Sequence, residues 1–254
     1  MIFLRSLVFN VLTYSGFLIV GVLGLPALLV SAEATLGVAR AWARMNIWFM
    51  RHVAGIKLEI RGAENIPQGG AILAAKHQSA LDTFSLVPFV GPFAFILKRE
   101  LNWVPIFGWY TWRAGMIPVN RGARSAALRA ITEGARKAVR KGRTVIIYPE
   151  GTRRPAGAPP AYKYGIIHLY KELGVPCVPV AVNSGLFWPR GAFLRYPGTA
   201  VIEFLPAIPP GLDGDTFRER LEEVIETATA RLIAEARARG EGIVPLGETA
   251  AGPV

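Results

Sequence analysis

Residues 6–32 carry no charged side chain. As a helix they run about 40 Å at 1.5 Å per residue, enough to cross a hydrocarbon core of roughly 30 Å. Gly16, Gly21, Gly24 and Pro26 interrupt the run, so the segment is expected either to span a membrane or to enter one leaflet and return. A cleaved signal peptide is the rival. Ala32, Glu33 and Ala34 mimic a small-residue cleavage site, whereas Arg5 makes a thin basic region and the apolar stretch is long for that role. Residues 36–53 then place Val38, Trp42, Met45 and Phe49 on one helical face and Arg40, Arg44 and Arg51 on the other. Such a helix fits the headgroup boundary of a bilayer or the flank of a globular domain equally well.

At Gly55 the period changes to two. Ile56, Leu58 and Ile60 alternate with Lys57, Glu59 and Arg61, the signature of a half-buried strand. Apolar runs at 71–75, 93–97, 116–119, 144–148, 178–182 and 200–205 follow, separated by helical patterns near 80–90, 124–141, 163–173 and 216–238. This alternation predicts an α/β fold with a central sheet flanked by helices. In the third of these helices from the end, Leu128, Ile131, Ala135 and Ala138 form the expected buried stripe, and its basic face suits anionic lipid, an acidic carrier protein or plain solvent. In the last, Phe217, Leu221, Val224, Ala228 and Leu232 are expected inside and Glu219, Glu222, Glu223 and Glu226 outside. The expected organisation is an N-terminal membrane-associated helical segment over 1–54, an α/β domain over 55–240 and a disordered tail over 241–254.

Charge narrows the class. The chain of 254 residues carries a formal +11 beside 52% hydrophobic residues. Between Lys98 and Lys171, 15 Lys or Arg stand against three Glu, so that stretch holds a surplus as large as the whole chain's. Nucleic acid, anionic lipid and polyphosphate substrates all fit such a charge. Cys177 is the sole cysteine and His52, His77 and His168 the only histidines, which argues against disulfides and His- or Cys-rich metal sites and suits a face in reducing cytoplasm.

The candidate chemistry lies at strand ends. His77 follows the run 71–75, and Asp82 opens the next helix. A neutral imidazole takes a proton from an alcohol near pH 7, and a carboxylate on its other nitrogen fixes the tautomer. The two meet if His77 precedes the helix and Asp82 sits in its first turn, with Ser79 and Asp82 as a capping pair. Lys98 ends another apolar run, Arg121 ends the block that begins at Gly115, and Glu150, Gly151, Thr152 and Arg153 follow a third. Cations ending successive strands predict a phosphate site at the carboxyl edge of the sheet. Taken singly, each charge reads as a solvated surface residue.

These blocks together resemble the 1-acylglycerol-3-phosphate acyltransferase family. Its His and Asp separated by four residues match His77 and Asp82. Its glycine-to-arginine block resembles Gly115 to Arg121, its Glu-Gly-Thr-Arg block matches Glu150 to Arg153, and its Val-Pro-Val strand resembles Val178 to Ala181. Lys76 departs from the asparagine frequent there, and Pro118, Val119 and Asn120 depart within the second block. The resemblance implies a glycerolipid acyltransferase-type domain at the inner membrane, its active site on the cytoplasmic side. His77, oriented by Asp82, would be the general base. Lys98, Arg121, Glu150, Gly151, Thr152 and Arg153 would bind the substrate phosphate. The implied partners are acyl-CoA or acyl carrier protein, a lysophospholipid and the bilayer, with no metal, no cofactor and no nucleic acid. Backbone amides near the helix start would stabilise the oxyanion. Two other readings stand beside it: an acyltransferase for another lyso-lipid, such as an amino acid lipid, and a non-catalytic basic membrane-binding protein.

Overall fold

The structure, a computed structural model, describes residues 1–120 and 124–242, with only the backbone of Arg124 and Ser125. Arg121 and nearly all of the expected tail lie outside the described residues. The chain opens with α1 (Ile2–Leu23), long and apolar enough to cross a membrane. Its packing is inverted relative to a soluble helix. Ser6, Asn10, Thr13 and Gly16 face the protein, while Leu4, Leu7, Val11, Leu18 and Val22 are exposed. After Gly24 and Pro26 the chain turns through α2 (Ala27–Val30) and returns as α3 (Ala32–Phe49). The Ser31 hydroxyl caps α3, accepting from the Ala34 amide at 3.0 Å.

Helices α1 and α3 approach closely at Gly16, where an added side chain would have to displace the flexible end of Met45. A Cβ on Gly16 would lie 2.5 Å from Met45 Cε, too near for any side chain without displacement. The fully buried positions of α3 are Thr35, Leu36, Ala43 and Asn46. The stripe expected from the sequence, Val38, Trp42, Met45 and Phe49, is half-buried, because it faces α1 and a cavity rather than the sheet. Arg195 ties α1 to the domain: its guanidinium donates to Asn10 Oδ1 at 2.8 Å, its amide donates to Ser6 Oγ at 2.8 Å, and its charge lies 4.1 Å over the Trp188 ring.

Seven strands make one sheet in the order β1-β7-β6-β2-β5-β3-β4: β1 (Ile56–Arg61), β2 (Ile72–Ala75), β3 (Phe93–Lys98), β4 (Ile117–Val119), β5 (Thr144–Ile147), β6 (Cys177–Val182) and β7 (Gly198–Phe204). All neighbours are parallel except β6 and β7. Parallel strands are covered on both faces and so read as continuous apolar runs. In β2, Leu73 and Ala75 enter the core shared with α1, α3 and α4 (Leu81–Leu86). Ile72 and Ala74 enter the opposite core with α6 (Arg124–Arg140), α7 (Tyr164–Leu173) and α8 (Gly214–Ala238).

Every predicted strand is present, shifted at its ends by a residue or two. A helix that the pattern did not predict, α5 (Phe107–Arg113), occupies the β3 to β4 connection. At seven residues it is too short to show a hydrophobic period. In α8, Ile225 is buried where Val224 was expected, and Glu226 is only partly exposed: it turns toward the sheet and accepts from Lys76 Nζ at 2.7 Å and from the Tyr162 hydroxyl at 3.0 Å.

Candidate active site

Strand β2 lies between β5 and β6, so its carboxyl end delivers His77 to the middle of the sheet edge, where α/β folds bind ligands. The chain turns at once into α4, whose second residue is Asp82. Asp82 is fully buried, and its Oδ2 accepts from the amides of Gln78 at 2.7 Å and Ser79 at 2.8 Å. The same oxygen lies 3.2 Å from His77 Nδ1. A carboxylate only accepts, so Nδ1 carries the proton and Nε2 is left as the acceptor. Ser79 Oγ accepts from the Leu81 amide at 3.1 Å, which completes the reciprocal cap.

Two residues not singled out in the sequence fix this pair. The Ser184 hydroxyl, after β6, donates to Asp82 Oδ1. Tyr148, at the end of β5, stacks its ring on the imidazole at 3.9 Å between centroids and 18° between planes, and burial pushes its phenol well above the usual range. Together they leave His77 little rotational freedom; its side chain is 14% exposed. The amides of Gln78, Ser79 and Leu81 are committed to Asp82 and Ser79. Contrary to the sequence expectation, these helix-start donors are not available to an oxyanion.

His77 opens into a cavity of about 750 Å³. Its polar end is lined by Gly151, Thr152, Arg153, Lys163 and Arg190, and Lys98 also lines it. Its apolar part runs between the N-terminal helices and α5, past Phe17, Val20, Leu36, Trp42, Ile106 and Tyr110. The parallel register of β2 with β5 sets Ala74 beside Ile147, which brings the loop 148–153 against the histidine turn; the Arg154 amide donates to the His77 carbonyl at 2.8 Å. Lys98 pairs in register with Val119, so β3 and β4 end side by side, two residues before Arg121.

Glu150 is the exception among the described residues expected at the phosphate site. It does not line the cavity: its carboxylate is buried against Lys76 Nζ at 3.1 Å, and Lys76 also holds Glu226 at 2.7 Å. A carboxylate repels phosphate, and this one serves to neutralise a buried ammonium. Burial raises the Glu150 pKa and Lys76 draws it back. The signal was legible in Lys76, a cation at the end of an apolar strand that needs a buried partner.

Arg153, by contrast, makes no ion pair among the described residues. Its guanidinium pKa is lowered first by burial and then by Arg190, with Asp82 opposing. No group of three or more His, Cys, Asp or Glu side chains suited to a metal occurs among the described residues.

A base held over a cavity that is cationic at one end and apolar along its length suits acyl transfer to a phosphorylated lipid. Residues 57–183 match the family model described as Acyltransferase. The 1-acyl-sn-glycerol-3-phosphate acyltransferase of Pseudomonas aeruginosa is 36% identical over 198 residues, covering 78% of this chain and 77% of that protein. The human 1-acyl-sn-glycerol-3-phosphate acyltransferase alpha is 28% identical over 205 residues, covering 78% and 72%. The crystal structure of the 1-acyl-sn-glycerophosphate (LPA) acyltransferase PlsC from Thermotoga maritima superimposes with a TM-score of 0.76 at 25% identity, over 90% of this chain and 95% of that one. The chain is an O-acyltransferase of the α/β type. It belongs to the 1-acyl-sn-glycerol-3-phosphate acyltransferase family.

Proposed function

We propose that this enzyme transfers a fatty acyl group from acyl-CoA or acyl carrier protein to the sn-2 hydroxyl of 1-acylglycerol 3-phosphate, giving phosphatidic acid. His77 Nε2 takes the hydroxyl proton as the oxygen attacks the thioester carbonyl. The new C–O bond forms, the C–S bond breaks, and the proton passes from the imidazolium to the leaving thiolate. Asp82 holds Nδ1–H and stabilises the transient cation. Lys98, Arg121, Arg153 and the Gly151–Thr152 turn hold the acceptor phosphate, and fixing the hydroxyl beside its base supplies several kcal/mol of the barrier in reactions of this kind. Apolar chains occupy the channel toward Phe17 and Ile106. The observation that carries this reading is that His77, Lys98 and Arg153 line one cavity with an apolar extension.

The outward apolar face of α1 supports membrane association of residues 1–54, with 55–240 as the catalytic domain. A helix that turns its polar side chains to the protein and its leucines and valines outward is stable where the surroundings are hydrocarbon. On this reading the cavity opens toward the lipid and the enzyme works at the cytoplasmic face of the inner membrane. Purified protein in detergent, given oleoyl-CoA with lysophosphatidate, lysophosphatidylcholine, monoacylglycerol and a lyso-ornithine lipid, tests the function. Preferential consumption of lysophosphatidate is expected; preference for any other acceptor would replace the assignment.

A further inference from the structure

Arg190 reaches the active-site cavity from a segment that follows all four sequence blocks noted above. Its support is rigid. Ser184–Leu186 forms a 3-10 turn after β6, the Ser184 hydroxyl donates to Asp82, and the Gly185 amide donates to Gln78 Oε1 at 3.0 Å. Trp188 is buried against Phe9 and Phe84, with ring centroids 5.4 and 6.0 Å away, and Pro189, which precedes Arg190, has its own φ fixed by its ring. The segment that carries Arg190 is therefore fastened to the turn that carries His77.

At the cavity Arg190 stands with Arg153 and Lys163, and its Nη1 lies 3.4 Å from Thr152 Oγ1. None of these three cations makes an ion pair among the described residues. Elsewhere in the molecule Arg61, Arg136 and Arg231 each close on a carboxylate. Like charges gathered without an ion-pair partner among the described residues, Arg153 half-buried near Asp82 and Arg190 and Lys163 exposed at the cavity rim, favour an anion between them. Two guanidinium forks and an ammonium match the oxygens of a phosphate monoester better than a single carboxylate.

We propose that Arg190 is a phosphate-binding residue of this enzyme, forming with Arg153 a two-sided clamp on a phosphate borne by a substrate in the cavity. The inference rests on the acyl-transfer reading for its substrates. The phosphate belongs either to the lysophosphatidate headgroup or to the coenzyme A of the donor, and the chemistry of recognition is shared. Separate titration of the two substrates tells them apart.

Steady-state kinetics of the wild type and Arg190→Gln, with oleoyl-CoA and lysophosphatidate varied in turn, test the clamp. The expected result is a KM raised tenfold or more for one of the two substrates, kcat within about threefold, and partial recovery in Arg190→Lys. A rise for lysophosphatidate assigns the headgroup, and a rise for oleoyl-CoA assigns the donor. Phenylglyoxal labelling of Arg190, read by peptide mass spectrometry, gives a readout independent of turnover: glycerol 3-phosphate or coenzyme A should protect it. Wild type that turns over lysophosphatidate while Arg190→Gln keeps both KM values within twofold would overturn the clamp. Wild type that ignores lysophosphatidate would remove the proposed function instead, and protection or its absence would then decide the clamp alone.

Discussion

The Ser184 hydroxyl and the Asp82 carboxylate are hydrogen-bonded across 102 residues of sequence, joining the end of β6 to the turn after β2. Asp82 thereby spends both oxygens on holding still: one on Ser184, the other on two amides and the imidazole. A carboxylate fixed in this way orients the base rather than sharing in the proton transfer.

Ser184→Ala removes one charge-assisted bond from a fully buried carboxylate. The protein is expected to lose about 1 to 3 kcal/mol of stability. The kcat should fall about tenfold, with KM little changed, because orientation rather than binding is disturbed. Urea denaturation and steady-state kinetics on the same preparation check both numbers.

Lys76→Met leaves Glu150 buried without its nearer counter-ion, with only the more distant Arg154 Nε, at 3.9 Å, remaining beside it among the described residues. Breaking one side of a buried pair costs about 3 to 5 kcal/mol, so the variant should melt far below the wild type. Lys76→Met with Glu150→Gln should recover much of the loss, since an amide needs no charge partner. A double variant no more stable than the single one would show that the ion pair is not the source of the effect.

Acidity gives a further handle on Glu150. Burial, only partly offset by Lys76, holds its folded pKa above that of the unfolded chain. The stability linked to this group is fully present below the unfolded value of about 4.3. It is lost as pH rises through the raised folded value. Glu150→Gln should remove that contribution, so the difference in melting temperature between wild type and variant should change across this window and level off above it. A difference that stays constant through the window would contradict the assignment.

Gly21 bounds the apolar part of the cavity, where a Cβ would lie 2.7 Å from Ile106 Cγ2. Ile106 itself sits at φ 66°, a conformation costly for a β-branched residue. Gly21→Leu is therefore expected to lower kcat/KM for oleoyl-CoA severalfold more than for a ten-carbon donor. Equal losses for both donors would place the acyl chain elsewhere.

Much of the fold was legible because parallel strands leave unbroken apolar runs and α6, α7 and α8 repeat their apolar positions every three or four residues. The His77 and Asp82 relationship was legible too, since both groups lie within one turn. Ser184 and Tyr148 were not, because their contacts depend on which strands become neighbours, and local periodicity carries no such information. Glu226 was misread for the same reason: on α8 it sits among exposed glutamates, and only the sheet places Lys76 beneath it. The inverted face of α1 was present in the sequence as Ser6, Asn10, Thr13 and Gly16 at helical spacing. Reading that stripe of small and polar residues as the packing face would have predicted how the helix docks.

The central claim is that His77 removes the proton from the acceptor hydroxyl. Turnover of oleoyl-CoA and lysophosphatidate by His77→Gln, with folding verified by circular dichroism and an unchanged melting temperature, measures it most directly. Loss of a general base of this kind is expected to cut kcat by about 100- to 10,000-fold with KM preserved. A folded His77→Gln protein that turns over at the wild-type rate would contradict the account.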